Sequence, residues 1–403
     1  MQGLASADVS RTVTLVLVDA DGVVRGTLPP FEARMPYWQE ASDVVAAAKE
    51  SFGLDVTVLR LLSHERPAPR GGAVTYLAEA AVLPAELGPA PELDLSPHPR
   101  RAAYAEPGGP AETLRWAASA LAEAGRPAHT VAHQQRTWNL SAIWRLDTPA
   151  GPVWLKQVPV FFAHEAAVLR HLGRGPHASL VPSLIAGAHG RMLLDHLPGD
   201  DLYGAGPDVR DAIAGDLHAI QLTAATELDT LRALGVPDRR GSALVRFCAD
   251  VVAAHPEHTD DGVRALVDGL PARLAEVAAC GLPDTLVHGD LHPGNARGDA
   301  QRRVILDWGD CVLGHPAFDI LRLTEQVPAD DERLLLDAWV RRWRAAVPGS
   351  DPARAVELLR PVVALRNAAA YAGFLAAIEP TEHPYHADDV PFWLAQAAEA
   401  ARA

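Results

Sequence analysis

The stretch LVHGDLHPGNARGDAQRRVILD, residues 286–307, constrains the fold more than any other part of the chain. Its ends are apolar and strand-like, while its middle carries His288, Asp290, His292 and Asn295, and its second apolar run stops at Asp307. Short apolar runs bounded by turn residues read as buried strands. A buried strand pair therefore carries carboxylates, an amide and two imidazoles at its turns. Such residues are also ordinary turn formers, so the stretch alone leaves two readings open: loop chemistry, or a site.

The bulk properties narrow the classes. At 403 residues, the chain is long enough for two or three domains. Its 48% hydrophobic and 22% charged residues are those of a soluble globular protein. A net charge of -15 disfavours nucleic acid and anionic membranes as partners, and is compatible with a cationic small molecule. Cys248, Cys280 and Cys311 are widely spaced and form no CxxC pair, which argues against a disulfide framework or a structural zinc site. Each is expected to be a small buried hydrophobe. The opening MQGLASADVSRTVTLVLVDADG lacks a basic leader region, so no signal peptide is expected. No apolar run approaches the about 18 residues of a membrane span. The expected location is the cytoplasm.

Along the chain, TVTLVLV (12–18) reads as a strand, Asp21-Gly22 as a hairpin signal, and VVRGTL as its return. DVVAAAKESF (43–52) reads as a helix, with Gly53 where a C-cap belongs. VTVLRLL and AVTYLAEAAVL are further strands, and seven prolines between Pro84 and Pro110 mark a linker or extended edge. Residues 1–110 thus read as a small α+β domain, and 111–127 as a connecting helix. WNLSAIWRLDT and PVWLKQV then form a hairpin with Lys156 near the end of its second strand. FFAHEAAVLRHLG follows as an amphipathic helix carrying Glu165, and RMLLDHLPG as a short strand entering a turn. This strand-rich region, 128–198, is followed by a mostly helical one, 199–403, interrupted by the two strand-like runs of the opening stretch. Trp138 and Trp144 alternate with polar residues at strand spacing and are expected in the core.

These parts match one chemistry. Phosphoryl transfer from ATP needs a carboxylate to orient the acceptor hydroxyl, oxygen ligands for Mg²⁺, and a cation on the phosphates held by a carboxylate. Asp290 and Asn295 lie five residues apart on one loop, Asp307 ends the next strand, and a hairpin would converge the three. Lys156 and Glu165 are placed to supply the cation and its carboxylate.

The string His288-Gly289-Asp290-Leu291-His292-Pro293-Gly294-Asn295 resembles the HGDxHxxN catalytic loop of the aminoglycoside phosphotransferase and choline kinase superfamily. Ile305-Leu306-Asp307-Trp308-Gly309 resembles the metal-binding segment that stands where protein kinases have DFG, and Gly314–Ile320 looks like the family's continuation. The resemblance spans roughly residues 128–400. It implies a bilobal protein-kinase-like α+β fold, preceded here by the small α+β domain, and an ATP- and Mg²⁺-dependent kinase of a small-molecule hydroxyl. It further implies Asp290 as the catalytic carboxylate, and Asn295 and Asp307 as Mg²⁺ ligands. Lys156 would contact the α- and β-phosphates with Glu165 holding it, and the main chain of Asp195 and Leu197 would meet the adenine. His288 and His292 would brace the loop, and Asp319 would tie a helix.

Two departures stand out. RTWNLSAIWRL has no glycine, unlike the phosphate loop of protein kinases, so Asn139, Ser141 or main-chain amides would serve instead. The alternative role for Ser141 is shaping the hairpin turn. The small domain loosely resembles the Nudix hydrolase fold around KESFGL. Aligned on Gly53-Leu54 it keeps Glu50, but has Ala46, Ala47 and Ser51 where the signature needs other groups. One carboxylate does not hold the metal for pyrophosphate cleavage, so this domain is expected to be catalytically dead.

The acceptor is least determined. An aminoglycoside or amino sugar leads, and Glu379, Glu382, Asp388 and Asp389 in the tail EPTEHPYHADDVPFW are candidates to attract its amines. A solvated helix connection is the other reading of that tail. His218 is expected to pack between helices. A neutral sugar, a choline-like alcohol or homoserine are alternative acceptors, and a non-catalytic kinase-fold binding or regulatory protein is the rival class. Oligomeric state and the preference between ATP and GTP leave no mark in the sequence.

Overall fold

The computed structural model describes residues 10–402 except Ala20, Ala68 and Ala300; Met1–Val9, on which the signal-peptide reading partly rests, lie outside the described residues. The chain divides into two compact units. The first comprises Met1–Ala163, Ile185–His196 and Phe374–Ala387; the second comprises His164–Leu184, Leu197–Gly373 and Asp388–Ala403.

The first unit holds two sheets. β1 (Arg11–Val18) turns through the expected hairpin into β2 (Val24–Thr27), pairs with the short β3 (Phe31–Ala33), and runs parallel to β5 (Gly72–Glu79), which is antiparallel to β4 (Thr57–His64). The apolar residues of β1, Val13, Leu15 and Leu17, are fully buried under α1 (Ser42–Phe52). Gly53 ends α1 in the left-handed region at φ 65°, its N–H on the Lys49 carbonyl, as the C-cap reading requires. Glu50 is exposed on this helix, and among the described residues no cluster of three or more metal-binding side chains forms. After α2 (Gly109–Glu123) comes the second sheet, ordered β6 (Val131–Trp138), β7 (Ser141–Thr148), β8 (Gly151–Gln157), β10 (Arg191–Asp195), β9 (Leu184–Ala188).

The two sheets are stitched by polar groups. Gln134 on β6 presents its amide as a strand would, accepting from Val58 N at 2.9 Å and donating to Val58 O at 2.7 Å. Arg136 pairs with Glu40 at 2.6 Å. The returning segment 374–387 completes the unit, with Tyr385 set edge-on against both Trp38 and Trp138. Residues divided at 110 and 127 in the sequence reading therefore share one compact unit.

The second unit is helical around small hairpins. Its helices are α3 (Glu165–Leu172), α4 (Pro207–Ala224), α5 (Leu228–Ala233), α6 (Gly241–Ala254), α7 (Asp261–Ala279), α8 (Ala317–Leu323), α9 (Ala329–Ala346), most of α10 (Pro352–Ala377), and α11 (Asp389–Arg402). β11 (Asp200–Asp201), β13 (Ala296–Gly298) and β14 (Arg303–Ile305) form one small sheet, and β12 (Thr285–Val287) with β15 (Val312–Gly314) another. All three cysteines are buried and free, and His218 packs edge-on against Trp343 at 4.7 Å. No described helix is long and apolar enough to cross a membrane.

Candidate active site

The opening stretch folds as its pattern demands. β12 is fully buried and ends at Val287, the polar knot forms the loop from His288 to Asn295, and the hairpin β13–β14 returns the chain to Asp307. Gly289 sits at φ 90°, where a Cβ would lie 2.2 Å from the Asp310 carbonyl oxygen, so this position accepts glycine alone. His288 is buried; its Nε2 donates to the Leu306 carbonyl at 2.7 Å and its ring packs on Trp308. Leu306 N in turn donates to the Asn295 carbonyl at 2.7 Å. These two bonds tie the loop to the end of β14, so Asp290, Asn295 and Asp307 gather at one end of the hairpin.

Asp290 is held from both sides. Its Oδ1 accepts from Arg322 Nε at 2.8 Å, and its Oδ2 accepts from Asn295 Nδ2 at 3.2 Å, with His292 Nε2 at 3.5 Å. His292 Nδ1 accepts from Gly294 N at 3.0 Å, which leaves the ring proton on the nitrogen facing Asp290. Burial opposes ionisation of Asp290, but the His292 bond and the Arg322 charge outweigh it and hold the carboxyl below the usual range. The carboxylate is thus ionised at neutral pH while its side chain stays 36% exposed.

Asp319, read as a tie for a helix, ties the loop itself. Its two oxygens accept from the main chain of His288 at 2.9 Å and Gly289 at 3.0 Å, and Gln221 donates to it at 2.9 Å. Burial pushes its pKa up, against His288 and these N–H groups. Below the loop, buried Arg366 reaches the Gly289 carbonyl at 3.4 Å and lies over the Phe318 ring.

The metal reading can be tested on the donors. Asn295 spends its amide nitrogen on Asp290, both carboxylate and carbonyl, which turns its oxygen the other way; that oxygen accepts from no donor among the described residues. Asp307 adopts φ 60°, a left-handed conformation costing a non-glycine residue on the order of 1 kcal/mol or more, and one typical of functional sites. One carboxylate and one amide oxygen, without sulfur or imidazole, suit Mg²⁺, which keeps water and phosphate oxygens for its remaining positions. The residues fit the ion.

The other predicted residues divide between the units. Lys156 lies on β8 opposite Ile143 and Met192, in the first unit. Glu165 opens α3 in the second and is 1% exposed. Asp195 pairs with Arg126, and the Leu197 carbonyl accepts from Arg297 at 2.9 Å. Ser141 is buried and accepts from the Trp138 indole at 3.2 Å, the turn-shaping role. Asn139 is likewise spent within the first unit, donating to the Glu382 carbonyl and meeting His386 Nε2 at 2.9 Å.

The tail corrects one expectation. Glu379 and Glu382 are buried in the first unit, where protein groups engage them. Glu379 forms a two-pronged pair with Arg101 at 2.9–3.0 Å, and Glu382 accepts from Leu61 N at 3.0 Å. Asp388 and Asp389 belong to the second unit instead, and Asp389 shares an electrostatic neighbourhood with Tyr371, Asp290 and Asp310. Arg322 and Arg366 are the groups that sequence reasoning missed. The spacing of Arg322 to Glu325, i to i+3, was the one available signal, and it is too common to single out a site.

A family model described as the phosphotransferase enzyme family matches residues 134–358. Among solved structures, the chain is similar to a macrolide 2'-phosphotransferase from Brachybacterium faecium, at 19% identity and a TM-score of 0.49, over 68% of this chain and 97% of that one. It is also similar to an aminoglycoside 2'-phosphotransferase-IIIa in its GDP complex, at 16% identity and a TM-score of 0.48, covering 72% and 98% of the two chains. An ethanolamine kinase from Plasmodium vivax has 13% identity and a TM-score of 0.47, with 68% and 82% covered. No curated protein matches the chain.

Proposed function

The chain belongs to the phosphotransferase enzyme family, and from that premise we propose that it moves the γ-phosphoryl group of ATP to a hydroxyl of a small molecule, with an aminoglycoside or amino sugar as the leading acceptor. Its α+β make-up, strand-rich in the first unit and helical in the second, is that of the protein-kinase-like class. The observation that carries the reading is the gathering of Asp290, Asn295 and Asp307 at one hairpin end through the Asn295–Asp290 and Leu306–Asn295 bonds.

In this reading Asp290 orients the acceptor hydroxyl for in-line attack and receives its proton as the oxygen–phosphorus bond forms and the bond to ADP breaks. Asn295 and Asp307 hold Mg²⁺, which when bound neutralises charge on the phosphates. Lys156 as the phosphate cation, Glu165 as its carboxylate, and the main chain at Asp195 and Leu197 for the adenine rest on the family pattern. Ser141 is not among the proposed nucleotide contacts, because its hydroxyl is buried against Trp138. The amine-bearing acceptor is supported by local charge: Asp310, Glu325 and Asp389 act with Asp290 on Tyr371 or Arg322, and these four carboxylates outnumber the cations Arg322 and Arg366 beside them.

The test is an acceptor screen with MgATP, setting amino sugars and aminoglycosides beside plain sugars and amino alcohols. Phosphorylation of an amine-bearing compound, abolished by chelating Mg²⁺, is expected. Turnover of neutral acceptors alone would remove the cationic preference, and labelling of none would remove the kinase reading.

A further inference from the structure

The geometry points to Arg322 as a positioning residue for phosphoryl transfer: its Nε holds Asp290 Oδ1 at 2.8 Å while Glu325 holds its Nη1 at 2.5 Å, so that Asp290 presents Oδ2 to the acceptor. The inference rests on Asp290 being the carboxylate that meets the acceptor.

Helix α8 carries both side chains that reach the loop. Asp319 and Arg322 stand three residues apart on it, hence on one face. Asp319 grips the main chain of the loop at His288 and Gly289; Arg322 grips the side chain that the loop carries. One helical face thus sets both the path of the loop and the rotamer of Asp290. An isolated Asp side chain has a broad, nearly two-fold terminal torsion, and a single acceptor hydroxyl would not select one orientation. The guanidinium does, because its planar fork offers a fixed edge.

Glu325 completes the clamp. A lone arginine is a long, mobile side chain, but this one is anchored at two nitrogens and only 27% exposed, with Glu325 at 22%. The two bonds leave Nη2 without an acceptor among the described residues. The oxygens of Asp290 are unequal as a result. Oδ1 is engaged in a short charge-assisted bond, whereas Oδ2 has only the longer Asn295 contact and the 3.5 Å approach of His292. Oδ2, which carries the two longer contacts, lies on the Asn295 side, toward the proposed metal ligands, and an incoming hydroxyl there displaces a weak contact rather than the Arg322 bond.

The experiment compares Arg322→Ala, Arg322→Lys and Asp290→Ala, alone and combined, under saturating MgATP with an acceptor found in the screen. Arg322→Ala is expected to lower kcat by about 10–100-fold while KM for ATP stays within about twofold. Arg322→Lys should recover only part, because an ammonium cannot bridge Asp290 and Glu325 in one plane. Guanidinium ion at non-denaturing concentration should raise the kcat of Arg322→Ala and leave Arg322→Ala/Asp290→Ala unchanged, with circular dichroism checking that each variant is folded. Wild-type kcat in Arg322→Ala beside an inactive Asp290→Ala would overturn the clamp and leave the Asp290 reading intact. An equal loss from Arg322→Ala in the presence and absence of the Asp290 carboxylate would also overturn it. Full activity in Asp290→Ala would remove the reading of Asp290 itself, and the clamp with it.

Discussion

Two clusters of charge, one built partly and the other wholly from the C-terminal third of the chain, are put to opposite uses. In the first unit Arg60, Arg101, Glu379 and Glu382 are sealed: each is at most 7% exposed, and Glu379 takes its bonds from Arg101 as a bidentate pair with Arg60 at 3.8 Å. In the second unit Asp290, Arg322 and Glu325 form an equally connected set that stays open, with Asp290 36% exposed. Acidic residues in a loop signify little by themselves; what separates structure from chemistry is whether a carboxylate oxygen still faces a place a substrate can reach. The closed cluster fastens segment 374–387 to the N-terminal sheet. The open one holds a carboxylate ionised, oriented and accessible.

The comparison breaks if the closed cluster governs turnover. Glu379→Ala is expected to destabilise the first unit by about 3 kcal/mol, because buried Arg60 loses its nearest carboxylate and Arg101 keeps only Glu106. Urea unfolding would read that loss, and kcat per folded molecule should hold at the wild-type value. A kcat loss at full folding would mean the two clusters are not separate in function.

The comparison sharpens through pH. Burial raises the Glu382 pKa from 4.5 to about 8, against the Leu61 N–H, with Glu379 raising it further and Arg60 and Asn139 opposing; its Oε2 has no donor among the described residues. Above pH 4.5 the unfolded chain releases this proton while the fold keeps it, so folding loses stability as pH rises to about 8 and levels off beyond. The loss is on the order of 5 kcal/mol. Glu382→Gln should flatten that slope in unfolding measured from pH 5 to 9, and an unchanged slope would assign it to other groups. The smallest expected effect is that of Glu50→Ala. As an exposed single carboxylate on α1 it should alter stability by less than about 0.5 kcal/mol and leave kinase turnover unchanged; a large loss with folding intact would bring the small domain into the chemistry.

Parts of the first unit and the loop of the second were legible because their signals are local. The alternation in β1, the glycine after α1 and the knot between β12 and β13 each declare a backbone shape within a few residues. β6 was missed, since its buried positions include Gln134 and Thr137, polar residues that carry no hydrophobic period and owe their burial to Val58 and Leu59 more than 70 residues away. The fate of Glu379 was hidden for the same reason: its partner Arg101 lies 278 residues upstream. Arg322 was passed over because an Arg–Glu pair three residues apart is usually solvated decoration, and only the fold brings Asp290 to its other edge.

Asp290 is the proposed carrier of the transfer. The most direct measurement of that role is Mg²⁺-dependent phosphorylation of the acceptor by wild type and by Asp290→Ala, both verified as folded. The account predicts a loss of about 10²–10⁴-fold in kcat for the variant, with ATP still bound; equal turnover by the two proteins would contradict it.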